Sequence, residues 1–144
     1  MCFHTHYAVK GRLGRVLVVE DEELIRKPLC LHLRQGGYEV VETTNGEEAI
    51  TQLSTGDNPL MVDTILCDIR MPRIDGKEAI RYFRSHYPTV PIVVFTGYPD
   101  TQLAVSLLKL GVSGYLVKPV SQQELLDVIA SSVEKHRILR VKFP

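Results

Sequence analysis

Four short, nearly continuous apolar runs and one alternating run, separated by segments of helical period, constrain this chain more than any other feature of its sequence. The runs are Arg15 to Val19, Glu39 to Thr43, Thr64 to Asp68, Pro91 to Thr96 and Gly114 to Val117. Unbroken apolar strands suit a parallel sheet with helices on both faces, because neither face is left to water. The second run, EVVETT, alternates and predicts an edge strand. Strands alternating with helices through right-handed crossovers give an open, doubly wound α/β sheet of five parallel strands. With 144 residues, 44% of them hydrophobic, the chain fills one core and has no room for a second full domain.

Punctuation supports the same division. Gly36 and Gly37 end the first helical segment and Gly111 ends the fourth, while Ser121 and Glu124 form a capping box that opens the last. In that last helix Leu125, Val128, Ile129 and Val133 recur at helical spacing, with Lys135, His136 and Arg137 placed where the macrodipole favours cations. Pro28 inside the first helix predicts a late start or a bend. Residues 1–13, the NPLMV stretch near Gly56 and the final VKFP are expected to be loosely ordered.

Charge and cysteine content exclude several classes. Seventeen Lys and Arg balance seventeen Asp and Glu, so no long-range field gathers nucleic acid or an anionic membrane. Cys2, Cys30 and Cys67 form no CxxC pair or zinc-ligand spacing, and an odd count argues against a disulfide framework. Cys30 and Cys67 are expected to fill core, His32 and His86 to take surface or boundary positions on helices, and Cys2, His4 and His6 to belong to a tail of mixed polarity rather than to clip a metal. No apolar run reaches the ~18 residues of a membrane span, and the first residues lack a signal-peptide stretch. The expected location is the cytoplasm.

Open α/β sheets place function outside the carboxyl ends of their strands. Those ends carry Glu20 and Asp21, Asp68, Thr96, and Lys118. Three carboxylates converging on one crevice repel, and oxygen ligands of this kind suit a hard cation such as Mg²⁺, with Lys118 supplying further positive charge. No His or Cys stands at these ends to favour zinc. A carboxylate beside Mg²⁺, with a Thr hydroxyl and an ammonium aimed at the same point, is what a transferring phosphoryl group requires; the implied reaction is aspartyl phosphorylation. Singly, each residue has a commonplace explanation: EDEE as acids at a helix start, Asp68 and Thr96 as turn residues, Lys118 as a loop lysine. Their order on successive strands is what carries the argument.

The strings VLVVEDEE, ILCDIRMPRIDG, VVFTGY and GYLVKPV resemble the receiver domain of two-component response regulators, over about Arg15 to Arg137. The resemblance implies a (βα)5, flavodoxin-like receiver fold with strand order 2-1-3-4-5. It implies that Asp68 is the phosphoacceptor, that Asp21 and Asp68 touch Mg²⁺ with Glu20 acting through water, and that the Arg70 carbonyl completes the protein ligands. Lys118 would pair with Asp68, its bond to Pro119 would be cis, and Thr96 with Tyr115 would form the switch. Output would appear on the face of the fourth helix, fifth strand and fifth helix.

The implied protein is a phosphorylation-activated switch that catalyses its own phosphorylation and dephosphorylation and is not a turnover enzyme. Its implied partners are a sensor histidine kinase or histidine phosphotransfer protein, and a downstream target or an output domain lying outside these residues. Neither nucleic acid nor membrane is contacted directly, and a homodimer through the output face is among the arrangements the resemblance allows. Three segments are expected: an extension over 1–13, the receiver over 14–138, and a tail or linker start over 139–144.

Two features depart from the commonest family pattern. Glu20 stands where Asp is usual, a tolerated change that leaves the acceptor in place. Arg70 and Tyr98, two residues after the acceptor and the switch Thr, form a bulky cationic pair expected to hinder attacking water and prolong the phosphorylated state. Among rivals, a phosphohydrolase of the haloacid-dehalogenase type needs a second Asp two residues after the first, where this chain has Arg70. A flavin site would need a Ser, Thr and Gly-rich first loop where EDEE stands. A receiver-like module that only makes protein contacts would lack the complete acceptor set.

Overall fold

The computed structural model describes residues 13–70 and 76–142. Five parallel strands, β1 (Arg15–Val19), β2 (Glu39–Thr43), β3 (Val62–Asp68), β4 (Ile92–Thr96) and β5 (Gly114–Val117), form one sheet in the order β2-β1-β3-β4-β5. Between and after them lie α1 (Glu23–Gln35), α2 (Gly46–Leu53), α3 (Gly76–His86), α4 (Thr101–Lys109) and α5 (Gln122–Lys142), with a single helical turn at Asn58–Met61.

Strand alternation sorts the apolar side chains into two cores, one on each face. Leu17, Val19, Ile65, Cys67, Ile92 and Val94 join Ala49, Leu53, Ile80, Phe83 and Leu107 from α2, α3 and α4. Val16, Val18, Leu66, Val93 and Phe95 join Leu29, Cys30 and Leu33 of α1 and Leu125, Ile129 and Val133 of α5. The doubly wound expectation and its strand order are therefore met. β2 is an edge, as EVVETT implies. β5 is the other edge and is only partly covered, with Val117 exposed; four apolar residues alone do not reveal that a run lacks a neighbour on one side.

Several expectations need correction. α1 does not start late: it begins at Glu23 and passes through Pro28. The N–H that Pro28 lacks would have served the Leu24 carbonyl, and Leu24 is 90% exposed, so the unpaired acceptor falls on the solvent side of the helix. The NPLMV stretch is ordered, as the turn Asn58–Met61 followed by the first residue of β3. The Asn58 side chain anchors it, donating to the Gln52 carbonyl and accepting from Arg15. Of the final VKFP, Val141 and Lys142 continue α5 while residues 143–144 lie outside the described residues. α5 thus passes beyond residue 138.

Helix ends follow the sequence signals. Gly37 (φ 100°) closes α1, with Tyr38 N–H donating to the Leu33 carbonyl and Gly37 N–H to that of Arg34. Gly111 (φ 85°) closes the segment after α4 in the same left-handed conformation. Ser121 Oγ accepts from Glu124 N–H at 3.1 Å.

One buried polar cluster was not anticipated. His136 is buried, its Nδ1 2.9 Å from Asp63 Oδ1, rather than lying among the surface cations of the last helix. Asp63 sits at a register irregularity where β3 carries one extra residue against β1, and its other oxygen accepts the Arg15 backbone N–H at 3.0 Å. Close by, the Thr64 and Ser132 hydroxyls hydrogen-bond at 2.7 Å. These contacts tie the distal half of α5 to the amino-terminal end of the sheet, opposite the strand ends that carry the acidic residues.

Candidate functional site

β1 and β3 are central neighbours, so the residues at their carboxyl ends are forced together. Glu20 follows β1 and Asp68 closes β3; both are buried, while Asp21 is exposed. One carboxylate oxygen from each of Glu20, Asp21 and Asp68 lies within 4.8 Å of the others. Lys118, just past β5, reaches over the end of β4 into this group. Its Nζ is 2.8 Å from Glu20 Oε1 and 3.3 Å from Asp68 Oδ2, and it lies 4.7 Å from the centre of the Phe95 ring. The Lys118–Pro119 bond is cis, as expected. The ammonium therefore pairs with both acids, more closely with Glu20 than with the Asp68 partner expected for it.

The electrostatics follow from burial among like charges. Burial pushes the Glu20 carboxyl up to about 7, with Asp21 and Asp68 adding to the rise and the Lys118 bond and Glu22 N–H opposing it. Burial works against the charge on Lys118, but its bond to Glu20 and the charges of Asp68 and Glu20 outweigh it, and the ammonium is raised above its usual range. The pocket is an acidic crevice with too little positive charge for its three carboxylates. Its donors are all oxygens, closely spaced and partly desolvated, and this set fits a hard divalent cation such as Mg²⁺.

Backbone hydrogen bonds shape the crevice. Glu22 N–H donates to Glu20 Oε2 at 3.1 Å and Arg70 N–H to Asp68 Oδ1 at 3.1 Å, each a side chain bonding the backbone two residues on. Thr96 closes β4, fully buried; its Oγ1 accepts from Tyr98 N–H at 3.1 Å, and its carbonyl accepts from Lys118 N–H at 2.8 Å. Tyr115 lies opposite Val94, two residues before Thr96, and its ring packs on the α2–α3–α4 core. Its hydroxyl is buried without a hydrogen-bond partner among the described residues. So the structure gathers Glu20, Asp21, Asp68 and Lys118 in one place and sets Thr96 and Tyr115 on the adjoining strands, with the Thr96 hydroxyl turned to its own loop.

At the rim the Arg70 guanidinium lies 4.4 Å from the centre of the Tyr98 ring, so the two residues singled out by position are also in contact. Elsewhere, Cys30 and Cys67 are buried, and burial pushes the Cys30 thiol up to about 12, assisted by Glu42, so both behave as core fillers. His86 is exposed and stacks on Tyr82 at 3.9 Å. Cys2, His4 and His6 lie outside the described residues. Sequence reading missed Arg26: it is buried, donates from Nη1 to the Glu20 carbonyl at 3.0 Å, and lies 3.9 Å from Glu42. Its place five residues past Asp21, on the inward side of α1, was the available signal.

The sequence model of the response regulator receiver domain matches residues 16–130. The chain belongs to that family. Receiver domains work in phosphorylation-dependent signalling, typically bind Mg²⁺ at an acidic pocket, and interact with histidine kinases and output domains. This receiver domain is 39% identical over 124 residues to the transcriptional regulatory protein PdtaR of Mycobacterium tuberculosis, covering 85% of this chain and 58% of that protein. It is 32% identical over 122 residues to the regulatory protein AtoC of Escherichia coli, covering 85% of this chain and 26% of AtoC. Among solved structures, a response regulator receiver domain protein from Clostridium thermocellum superposes with a TM-score of 0.81 at 26% identity, over 88% of this chain and 98% of that one. The chemotaxis response regulator CheY4 of Vibrio cholerae does so with a TM-score of 0.74 at 29% identity, over 83% and 98%. The receiver domain thus spans only a part of its curated relatives. Among its described residues no helix is long and apolar enough to cross a membrane.

Proposed function

We propose that this domain is a signalling switch in which Asp68 accepts a phosphoryl group from a phosphohistidine on a sensor histidine kinase or phosphotransfer protein. The supporting observation is the meeting of Glu20, Asp21 and Asp68 within one 4.8 Å group, with Lys118 against two of them. An Asp68 carboxylate oxygen attacks phosphorus, the P–N bond of the phosphohistidine breaks, and the imidazole nitrogen leaves with the electron pair and takes up a proton. Lys118 moves from neutralising carboxylates to neutralising phosphoryl oxygens. Glu20, Asp21, Asp68 and the Arg70 carbonyl would hold Mg²⁺, which when bound offsets the negative charge gathering in the crevice.

Thr96 and Tyr115 carry the change outward. The Thr96 hydroxyl now serves its own loop, and a phosphoryl oxygen offers it a stronger, charged acceptor. Tyr115, whose buried hydroxyl lacks a partner among the described residues, is the neighbour whose position answers to Thr96. The consequence is a shift between two states of the α4–β5–α5 face, where a downstream target, an output domain or a second copy would bind. The domain acts in the cytoplasm, with residues 1–13 as an extension and the receiver running from residue 14 through the end of α5 at Lys142, and it turns over no substrate beyond its own phosphorylation and dephosphorylation.

The test is to follow backbone and side-chain NMR signals of Thr96 and Tyr115 on adding Mg²⁺ and beryllofluoride, a phosphoryl mimic. Both should shift in the wild type and stay still in Asp68→Asn. Signals unmoved in the wild type would refute the relay.

A further inference from the structure

We infer that Arg26 is a positioning residue for the acidic crevice, fixing the backbone from which Glu20 and Asp21 project; this rests on the reading of that crevice as the Mg²⁺ and phosphoryl site. The tripeptide Glu20–Asp21–Glu22 leaves β1 and must turn at once into α1. It is held at both flanks by its own neighbours: Glu20 N–H donates to the Thr43 carbonyl at 3.1 Å, and Glu22 N–H to the Glu20 carboxylate at 3.1 Å. Between these lies the Glu20–Asp21 peptide, whose carbonyl is bound by Arg26 Nη1 at 3.0 Å. Asp21 is exposed, and one of its carboxylate oxygens lies within 4.8 Å of one from each of Glu20 and Asp68. Asp21 projects from this stretch of backbone, and Arg26 is the side chain that grips its preceding carbonyl.

The rest of the Arg26 environment shows that the guanidinium is poorly used for stability. Its Nε is buried without a hydrogen-bond partner among the described residues, and its ion pair with Glu42 is long, at 3.9 Å. Glu42 does not depend on it, having Lys27 at 2.7 Å and Arg34 at 3.5 Å. A buried, incompletely satisfied cation is a stability burden that a packed apolar side chain would relieve. Among the described residues, what Arg26 supplies is the side-chain bond to the Glu20 carbonyl.

The experiment measures Mg²⁺ binding by calorimetry on the full chain, with no phosphorylation involved, for the wild type, Arg26→Met, Arg26→Lys and Asp68→Asn, alongside the thermal midpoint of each. Arg26→Met should weaken Mg²⁺ binding by about tenfold, as loss of a side chain that orients metal ligands does, while its thermal midpoint holds or rises. Arg26→Lys, which restores one donor, should recover most of the affinity. Removing a nearby positive charge would by itself tighten Mg²⁺ binding, so Arg26→Met binding equally well or better overturns the inference. A fall in thermal midpoint with unchanged affinity overturns it too, because that is the mark of a purely structural role. If Arg26→Met does not fold, Arg26→Gln is read by the same criteria. A wild type that binds no Mg²⁺, or an Asp68→Asn variant that binds as well as the wild type, instead overturns the reading of the crevice on which the inference rests.

Discussion

Lys118 Nζ lies closer to Glu20 than to Asp68, at 2.8 Å against 3.3 Å, so the ammonium bridges the ends of β1 and β3 from beyond β5. The residues come from strand ends far apart in sequence, and the order β2-β1-β3-β4-β5 brings them to one crevice. The bridge explains how a fully buried glutamate can stand beside a buried aspartate.

Removing the bridge should expose that conflict. Lys118→Met leaves Glu20 and Asp68 without their cation, and we expect a loss of about 1–3 kcal/mol, the usual cost of unpairing buried polar groups. Urea unfolding at neutral pH without divalent metal measures it, and added Mg²⁺ should return part of the loss. Equal midpoints for variant and wild type would contradict the bridge.

The Asp63–His136 contact yields a pH prediction. Burial opposes ionisation of Asp63, but the His136 bond, the Arg15 N–H and the charges of His136 and Arg140 outweigh it and hold the carboxyl below its ordinary 3.8. A lowered carboxylate gives stability that is complete above the unfolded value and is lost as pH falls through the folded one. His136→Ala should cost about 1–3 kcal/mol near neutral pH and make stability fall less steeply below pH 3.8. Hydrogen exchange should also quicken in the last turns of α5, and an unchanged acid limb would count against the pairing.

Arg70 stacked on Tyr98 at 4.4 Å covers the rim of the crevice beside Asp68. Water that hydrolyses an aspartyl phosphate must enter past such a rim. Replacing both residues with alanine should shorten the lifetime of the phosphorylated state, followed as the decay of the phosphorylated mass after the donor is removed. A longer lifetime in the double variant would refute this.

At the start of α4, Asp100 Oδ1 accepts from Gln102 N–H at 2.9 Å and Leu103 N–H at 3.3 Å. Asp100→Ala removes this cap and should cost about 1 kcal/mol, read from chemical denaturation. A cost near zero would show that α4 is held by its packing alone.

The sequence disclosed the fold wherever a signal was local and periodic. The buried runs of β1, β3 and β4, the glycines after α1 and α4, and the Ser121 cap each state their structure without reference to a distant residue. The acid residues and Lys118 were legible because parallel strands deliver their carboxyl ends to one edge. Long-range, side-chain facts stayed hidden. Whether Lys118 prefers Glu20 or Asp68 depends on ångström differences between strand ends. The burial of His136 depends on an irregularity between β1 and β3 that places Asp63 beneath it, and helical periodicity alone allows the same residue to face water. Pro28 reads as a cause of a late start or a bend, and only the exposure of Leu24 shows how α1 can begin at Glu23 and still pass through it.

The central claim is that Asp68 takes the phosphoryl group, and incubation with acetyl phosphate and Mg²⁺ followed by intact mass tests it most directly. The wild type should gain one phosphoryl group and Asp68→Asn none. A wild type that gains nothing, or a variant modified equally well, would contradict the account.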